Sequence, residues 1–280
     1  LFGEVNPSGH LPESFPKKLS DNPSYLFYGG EGNTAEYREG IFVGYRYYDK
    51  KDMDVLFPFG HGLSYTTFAY SDLRLNAEKT ALAEGDAVSL TVTVKNTGRR
   101  FGKTVAQVYV GAAAQDPIRP VRELRAFEKV ALNPGEEKVV SFTLPKRAFS
   151  MWKEDLHDWY VPAGQYIIEV GDSSRHLPLR AEITLRDTRE LPRHYDENTI
   201  FLDLMQDPRA MAVLNPYMQK IMGALGAGDE NQSEAARDAI TLEMNLAMMK
   251  YMPLRALLSF SGDTVRPEMI WDLLQALNAQ

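Results

Sequence analysis

The sequence predicts a mainly β protein whose centre is a sandwich of the immunoglobulin-like or fibronectin type III-like kind. Three observations carry that expectation. Between residues 67 and 186, short runs such as Leu90-Thr-Val-Thr-Val94 and Val105-Ala-Gln-Val-Tyr-Val110 alternate with the period of two of half-buried strands. Turn signals punctuate them at Asn96-Thr-Gly98, Asn133-Pro-Gly135 and Pro162-Ala-Gly164. On either side the pattern changes, to a Gly-, Pro- and Tyr-rich stretch before and to a helical period after.

Residues 1–62 do not read as an autonomous fold, because turn signals crowd them: Asn6-Pro7, Ser8-Gly9, Asn22-Pro23, Gly29-Gly30 and Gly32-Asn33. Their clearest strand candidate is Ile41–Tyr48, which puts Ile41, Val43, Tyr45 and Tyr47 on one face. A lone strand cannot bury both faces, so the segment must pack on the next domain or on a partner chain. Tyr45, Arg46, Tyr47, Tyr48 and Asp49 are also the best local candidates for sugar binding, since Tyr faces stack on pyranose rings and Arg bonds hydroxyls. The competing reading makes these tyrosines the lining of a domain seam, as half-buried packing favours Tyr by itself.

Leu56–Phe68 (Leu-Phe-Pro-Phe-Gly-His-Gly-Leu-Ser-Tyr-Thr-Thr-Phe) separates the two kinds of sequence. Pro58, Gly60 and Gly62 restrict or specialise the backbone, while Phe57, Phe59, Leu63, Tyr65 and Phe68 supply apolar area. It reads as a rigid inter-domain joint. The alternative makes His61 and Ser64 part of a nucleophile site, but no G-x-S-x-G frame surrounds Ser64 and no acidic partner is placed.

Strands are expected at 68–75, 88–96, 104–111, 123–132, 138–144, 159–161, 164–170 and 177–185. This seven-to-eight-strand spacing is that of a sandwich able to fold without its neighbours. Asp155, His157 and Asp158 ahead of Trp159 could pass for an acid/base group with a stacking platform. Between two strands they read better as a solvated loop with Trp159 anchored in the core.

Residues 187–194 (Asp-Thr-Arg-Glu-Leu-Pro-Arg-His) are polar and read as a linker. Helices are then expected over Thr199–Met205 and Pro216–Leu225, with a flexible break from Gly223 to Gly228. A long helix capped by Ser233 should run to about Met252, broken by Pro253. The last helix starts near Thr264, with Ile270, Leu273, Leu274 and Leu277 on one stripe. Nine of the eleven methionines follow residue 200, in keeping with an adaptable core or docking seam. The tail helices look too few to cover one another, so the Ile270–Leu274 stripe is expected to pair with a second copy of the chain.

Three motifs, Gly3–Pro16, Tyr37–Asp49 and the joint Leu56–Phe68, resemble in order and spacing the C-terminal part of glycoside hydrolase family 3 β-glucosidases. The resemblance covers about residues 1–186. It implies that 1–62 is the closing segment of an α/β sandwich domain, that 63–186 is a fibronectin type III-like domain, and that 187–194 links these to a helical region at 195–280. The tail's Met-Pro-Leu-Arg segment and last helix are also similar to those of some bacterial members. In the family the nucleophile is an Asp on a preceding barrel domain and the acid/base is usually a Glu earlier in the α/β domain. Neither context occurs in this sequence, so no catalytic residue is assigned. The expectation is a non-catalytic portion of a retaining β-glucosidase-like enzyme acting on terminal β-linked glucose. It would brace the catalytic domains, with those domains or a second copy as partners. A stand-alone carbohydrate-binding or adhesion module is the alternative.

Charge and composition fit that expectation. The chain carries 31 basic against 38 acidic residues, which argues against nucleic acid as a partner. From 195 to 280 there are 6 basic and 12 acidic residues, so the tail holds most of the imbalance. There is no cysteine, which excludes disulfides and thiolate sites but leaves the compartment open. The five histidines show no ligand spacing, so neither a metal nor another cofactor is expected. No apolar run approaches the ~20 residues of a membrane helix. The first residue is Leu1, and the chain is expected to begin inside a longer gene product.

Overall fold

The computed structural model describes residues 3–77, 79–114, 118–191, 193–224, 247, 250–260 and 265–279. These form two compact units, Leu1–Glu190 and Leu191–Gln280.

In the first unit, β1 (Phe15–Pro16) pairs antiparallel with β2 (Val55–Phe57). The sandwich follows. One sheet holds β3 (Phe68–Asn76), β5 (Ala87–Asn96) and β8 (Glu137–Pro145), in that order. The other holds β4 (Ala81–Leu82), β12 (Leu179–Asp187), β11 (Gly164–Gly171), β6 (Gly102–Ala112) and β7 (Glu123–Leu132), in that order. Pairing is antiparallel except between β12 and β4. Alternation along β5 turns Val88, Leu90, Val92 and Val94 inward, against Val108, Val110, Ile168 and Val170 of the facing sheet. Each such buried side chain contributes about 1.5–3 kcal/mol relative to exposure.

β6 departs from the half-buried expectation. Its inward residues Ala106, Val108 and Val110 are buried, and so are Gln107 and Tyr109 on the opposite face. That second face is roofed by the N-terminal segment.

The expected strand over 41–48 is instead a turn followed by helix α1 (Tyr45–Lys50). Gly40 and Gly44 take positive φ (56° and 59°), which breaks the extended run, and Gly44 precedes the helix. Tyr45 and Tyr48 then share a buried face at helical spacing.

The expected strand near 159–161 lies in a separate hairpin of β9 (Met151–Lys153) and β10 (Asp158–Tyr160). Trp159 is therefore not anchored in the core; it is 37% exposed and packs edge-to-face on Trp152. Phe149, Val161 and Tyr166 occupy the core position expected for it. Asp187 is not solvated linker either. It ends β12, buried, with Lys146 Nζ at 2.9 Å and Arg189 Nε at 3.2 Å from its carboxylate.

In the second unit, α2 (Phe201–Met205), α3 (Pro208–Ala224), α4 (Leu257–Phe260) and α5 (Pro267–Asn278) surround one core. α3 begins eight residues before the expected Pro216, which lies inside it. The Asp207 carboxylate accepts the Arg209 amide at 3.0 Å and Pro208 fills the first helical position, a start signal the periodicity reading passed over. Pro267 likewise sets the start of α5, after Arg266 in extended conformation. The expected break begins at Gly223, still within α3. Its remainder, the helix expected from Ser233 and the start at Thr264 lie outside the described residues.

The stripe on α5 is not an open face. Ile270, Leu273 and Leu277 are at most 4% exposed, packed with Phe201, Leu204, Leu214, Leu254 and Leu257. The short turn Leu254–Ala256 brings Leu254 into the same core.

Candidate functional site

The richest site among the described residues is the joint where the N-terminal segment crosses β6. Gly60 sits at φ 82°, and a Cβ there would lie 2.2 Å from Gln107 Oε1. Glycine is thus required twice, by conformation and by contact. Gln107 Nε2 donates to the Gly60 carbonyl (3.2 Å) and to the Asp172 carbonyl (2.6 Å), while Tyr109 Oη donates to Gln107 Oε1 (2.6 Å). This satisfies the polar atoms that β6 buries on its outer face. Burial raises the Tyr109 hydroxyl well above its ordinary pKa, so it acts as a donor.

Two further side chains stitch the crossing. His10 lies between the Gly60 carbonyl and the Val105 amide. Asn6 Oδ1 accepts from the Tyr65 amide (2.8 Å) and Ser64 Oγ (3.2 Å), and its Nδ2 donates to the Phe101 carbonyl (2.9 Å). Ser64 therefore donates to an amide oxygen, which is no base. His61 stacks on Phe57. The pair is structural, as the joint reading expects. Asn6, His10 and Gln107 were missed by sequence reasoning; the Asn6-Pro7 turn and the Gly9-His-Leu-Pro12 run were the available signals.

The five candidate sugar-binding residues all fall in α1, whose buried face carries Tyr45 and Tyr48. Tyr45 stacks on Phe59 (4.7 Å between centroids), meets Tyr109 edge-on and accepts the Leu124 amide at 2.8 Å. Burial raises its hydroxyl above the ordinary range. Arg46 pairs with Glu123 (3.1 Å), which also takes Arg125 (2.5 Å). Asp49 pairs with Arg175 at 2.5 Å, and Arg175 also donates to the Met53 carbonyl. Burial pushes the Asp49 carboxyl up, against the pull of Arg175 and Arg122. Tyr47 packs edge-to-face on Tyr48 and is partly exposed. Tyr45, Arg46 and Asp49 are thus committed to contacts within the unit, and the carboxylates here face arginines rather than a second carboxylate.

In the hairpin, Asp158 pairs with Arg189 (2.7 Å) and His157 takes a left-handed turn conformation. The Asp155 side chain lies outside the described ones. No group of three His, Asp or Glu side chains suited to a metal occurs among the described residues.

What the site does display is apolar surface. Leu26, Tyr28 and Tyr37 are 84%, 89% and 83% exposed, and Leu19, Ile41, Val43 and Leu56 are also open. Leu19 to Val43 are held by local turn hydrogen bonds, between flanks that His10 and Tyr45 tie to the sandwich.

Comparison with known proteins finds relatives for both parts of the first unit. The glycosyl hydrolase family 3 C-terminal domain matches residues 1–65, and the fibronectin type III-like domain matches residues 104–174. The thermostable β-glucosidase B of Acetivibrio thermocellus is 44% identical over 278 residues, 99% of this chain and 35% of the relative. The probable β-glucosidase K of Emericella nidulans is 45% identical over 190 residues, 67% of this chain and 22% of the relative. Among solved structures, the family 3 β-glucosidase of Bifidobacterium adolescentis superposes with a TM-score of 0.66 at 40% identity, covering 76% of this chain and 31% of that one. β-Glucosidase 3B of Thermotoga neapolitana gives 0.59 at 40% identity, covering 66% of this chain and 25% of that one. The chain thus spans about a third or less of these relatives' length. The match to the Acetivibrio protein, over 99% of the chain, takes in the helical tail.

Proposed function

We propose, from the premise that this chain carries the C-terminal region of glycoside hydrolase family 3, that it braces the catalytic domains of a retaining β-glucosidase without supplying a catalytic group. The observation that carries the reading is the exposed set Leu26, Tyr28, Tyr37, Ile41 and Val43, in a segment whose flanks His10 and Tyr45 are tied to the sandwich. Soluble surfaces seldom leave so much large apolar area open in one short segment unless something covers it. The occupant is the rest of such an enzyme, whose α/β domain this segment would complete. The whole enzyme would release terminal β-linked glucose with retention, using two carboxyl groups about 5–5.5 Å apart on those other domains.

The test uses this chain and the remaining portion of the Acetivibrio relative expressed as a second polypeptide. The two should co-elute, and hydrolysis of an aryl β-glucoside should require both. Turnover by this chain alone that disappears on replacing one of its own carboxylates would overturn the proposal, as would failure to co-elute.

A further inference from the structure

One cavity in the first unit lies apart from the joint. It measures about 610 Å³, within the range of small-molecule sites, and three elements build it. The turn after β8 supplies Lys146, Arg147 and Ser150, β10 supplies Asp158 and Trp159, and the chain after β12 supplies Arg189, with Glu84 at the rim. Lys146 and Ser150 are buried, so the floor is fixed. Lys146 and Arg189 both hold the buried carboxylate of Asp187.

Cross-strand packing accounts for the Trp152–Trp159 contact, since the two residues are paired directly in the hairpin. It does not account for Arg147. That guanidinium lies over the Trp159 ring, with no carboxylate partner among the described residues. Glu84 across the rim is likewise without a described ion pair. The site therefore offers planar donors, free acceptors and an indole wall in one concave place. Its charges balance, three cations (Lys146, Arg147, Arg189) against three carboxylates (Glu84, Asp158, Asp187). Balance disfavours a phosphate or a metal cation. A neutral ring rich in hydroxyls fits: it lies beside the Arg147-covered indole, and its hydroxyls both donate and accept.

We infer that this cavity is a binding site for a neutral saccharide on the fibronectin type III-like domain, with Arg147 and Glu84 bonding hydroxyls and Trp159 as the wall. The test is NMR of the three indole N–H groups, Trp152, Trp159 and Trp271, during titration of the whole chain with cellobiose, methyl β-glucoside and inorganic phosphate. Cellobiose should shift Trp159 and Trp152 saturably, with millimolar affinity, and leave Trp271 unmoved. Arg147→Ala should weaken binding about tenfold, the loss of one charge-assisted hydrogen bond. Glu84→Gln, at the exposed rim, should weaken it without touching the hairpin. An unmoved Trp159 signal, an equal shift at Trp271, tighter binding of phosphate than of sugar, or full affinity in both variants would overturn the inference. None of these readouts needs the catalytic domains, so the result stands apart from the bracing proposal.

Discussion

His10 Nδ1 lies 2.5 Å from the carbonyl oxygen of Gly60, fifty residues away, and its Nε2 lies 3.3 Å from the Val105 amide. A carbonyl only accepts and an amide only donates, so the ring must carry its proton on Nδ1. One imidazole thereby ties the N-terminal segment, the joint and β6 together. His10→Leu should cost the first unit about 1–3 kcal/mol, since the Val105 amide loses its acceptor, and His10→Gln should recover part of it. Urea denaturation followed by near-ultraviolet circular dichroism checks this. Equal stability of all three proteins would remove His10 from the joint.

The contact between Gly60 and Gln107 makes a sharper prediction. Gly60→Ala must both strain a backbone at φ 82° and displace the Gln107 amide, which then releases Tyr109. The expected loss is about 1–3 kcal/mol. Adding Gln107→Ala should relieve the clash, so the double substitution should cost less than the sum of the two singles. Strict additivity in thermal melts would show that the side chain moves aside freely.

The Asp187 carboxylate predicts how the sandwich responds to acid. Burial pushes its pKa up, but hydrogen bonds from Arg189, Lys146 and the Val161 amide outweigh that and hold it well below the usual carboxylate range. A depressed pKa contributes stability that is present above the ordinary carboxylate pKa and is lost as pH falls toward the folded value. Stability should therefore be flat near neutrality and decline below about pH 4. Asp187→Asn should flatten that decline. It should also cost about 3–5 kcal/mol at pH 7, because Lys146 is left buried without its counter-charge. A variant that keeps the full acid slope would assign the slope to other carboxylates.

How far the sequence anticipated this molecule depends on which interaction set each element. β5 was legible because its Val and Leu residues alternate over a single buried face, and period two is what a sandwich strand shows. α1 was not, because Ile41–Tyr48 alternates as well as a strand does and only Gly40 and Gly44, at positive φ, decide otherwise. The joint's glycines stood out in the chain. Their partners did not: Asn6, His10 and Gln107 lie 45 or more residues from the joint atoms they bind. Such long-range polar contacts leave no periodic trace. Trp159 was misplaced because a hairpin outside both sheets looks, in sequence, like one more strand of the sandwich.

The second unit carries the last prediction, which reverses the expected behaviour of the α5 stripe. Ile270, Leu273 and Leu277 fill the same core as Leu204, Leu214 and Leu254, all of them buried. An unpaired carboxylate in that core costs far more than a deleted methyl group, because the charge has no partner and little water. Ile270→Asp should therefore melt the helical unit rather than separate two copies of the chain. Leu214→Ala, which only leaves a cavity, should cost about 2–5 kcal/mol and keep the helices. The exposed neighbour Trp271, 61% open on the other side of α5, makes the control: Trp271→Asp should leave the fold intact. Far-ultraviolet circular dichroism separates these outcomes by the helical signal, and light scattering measures mass in the same samples. If Ile270→Asp keeps its helices and only halves a measured dimer mass, the stripe is an interface after all and the packing described for α5 is wrong.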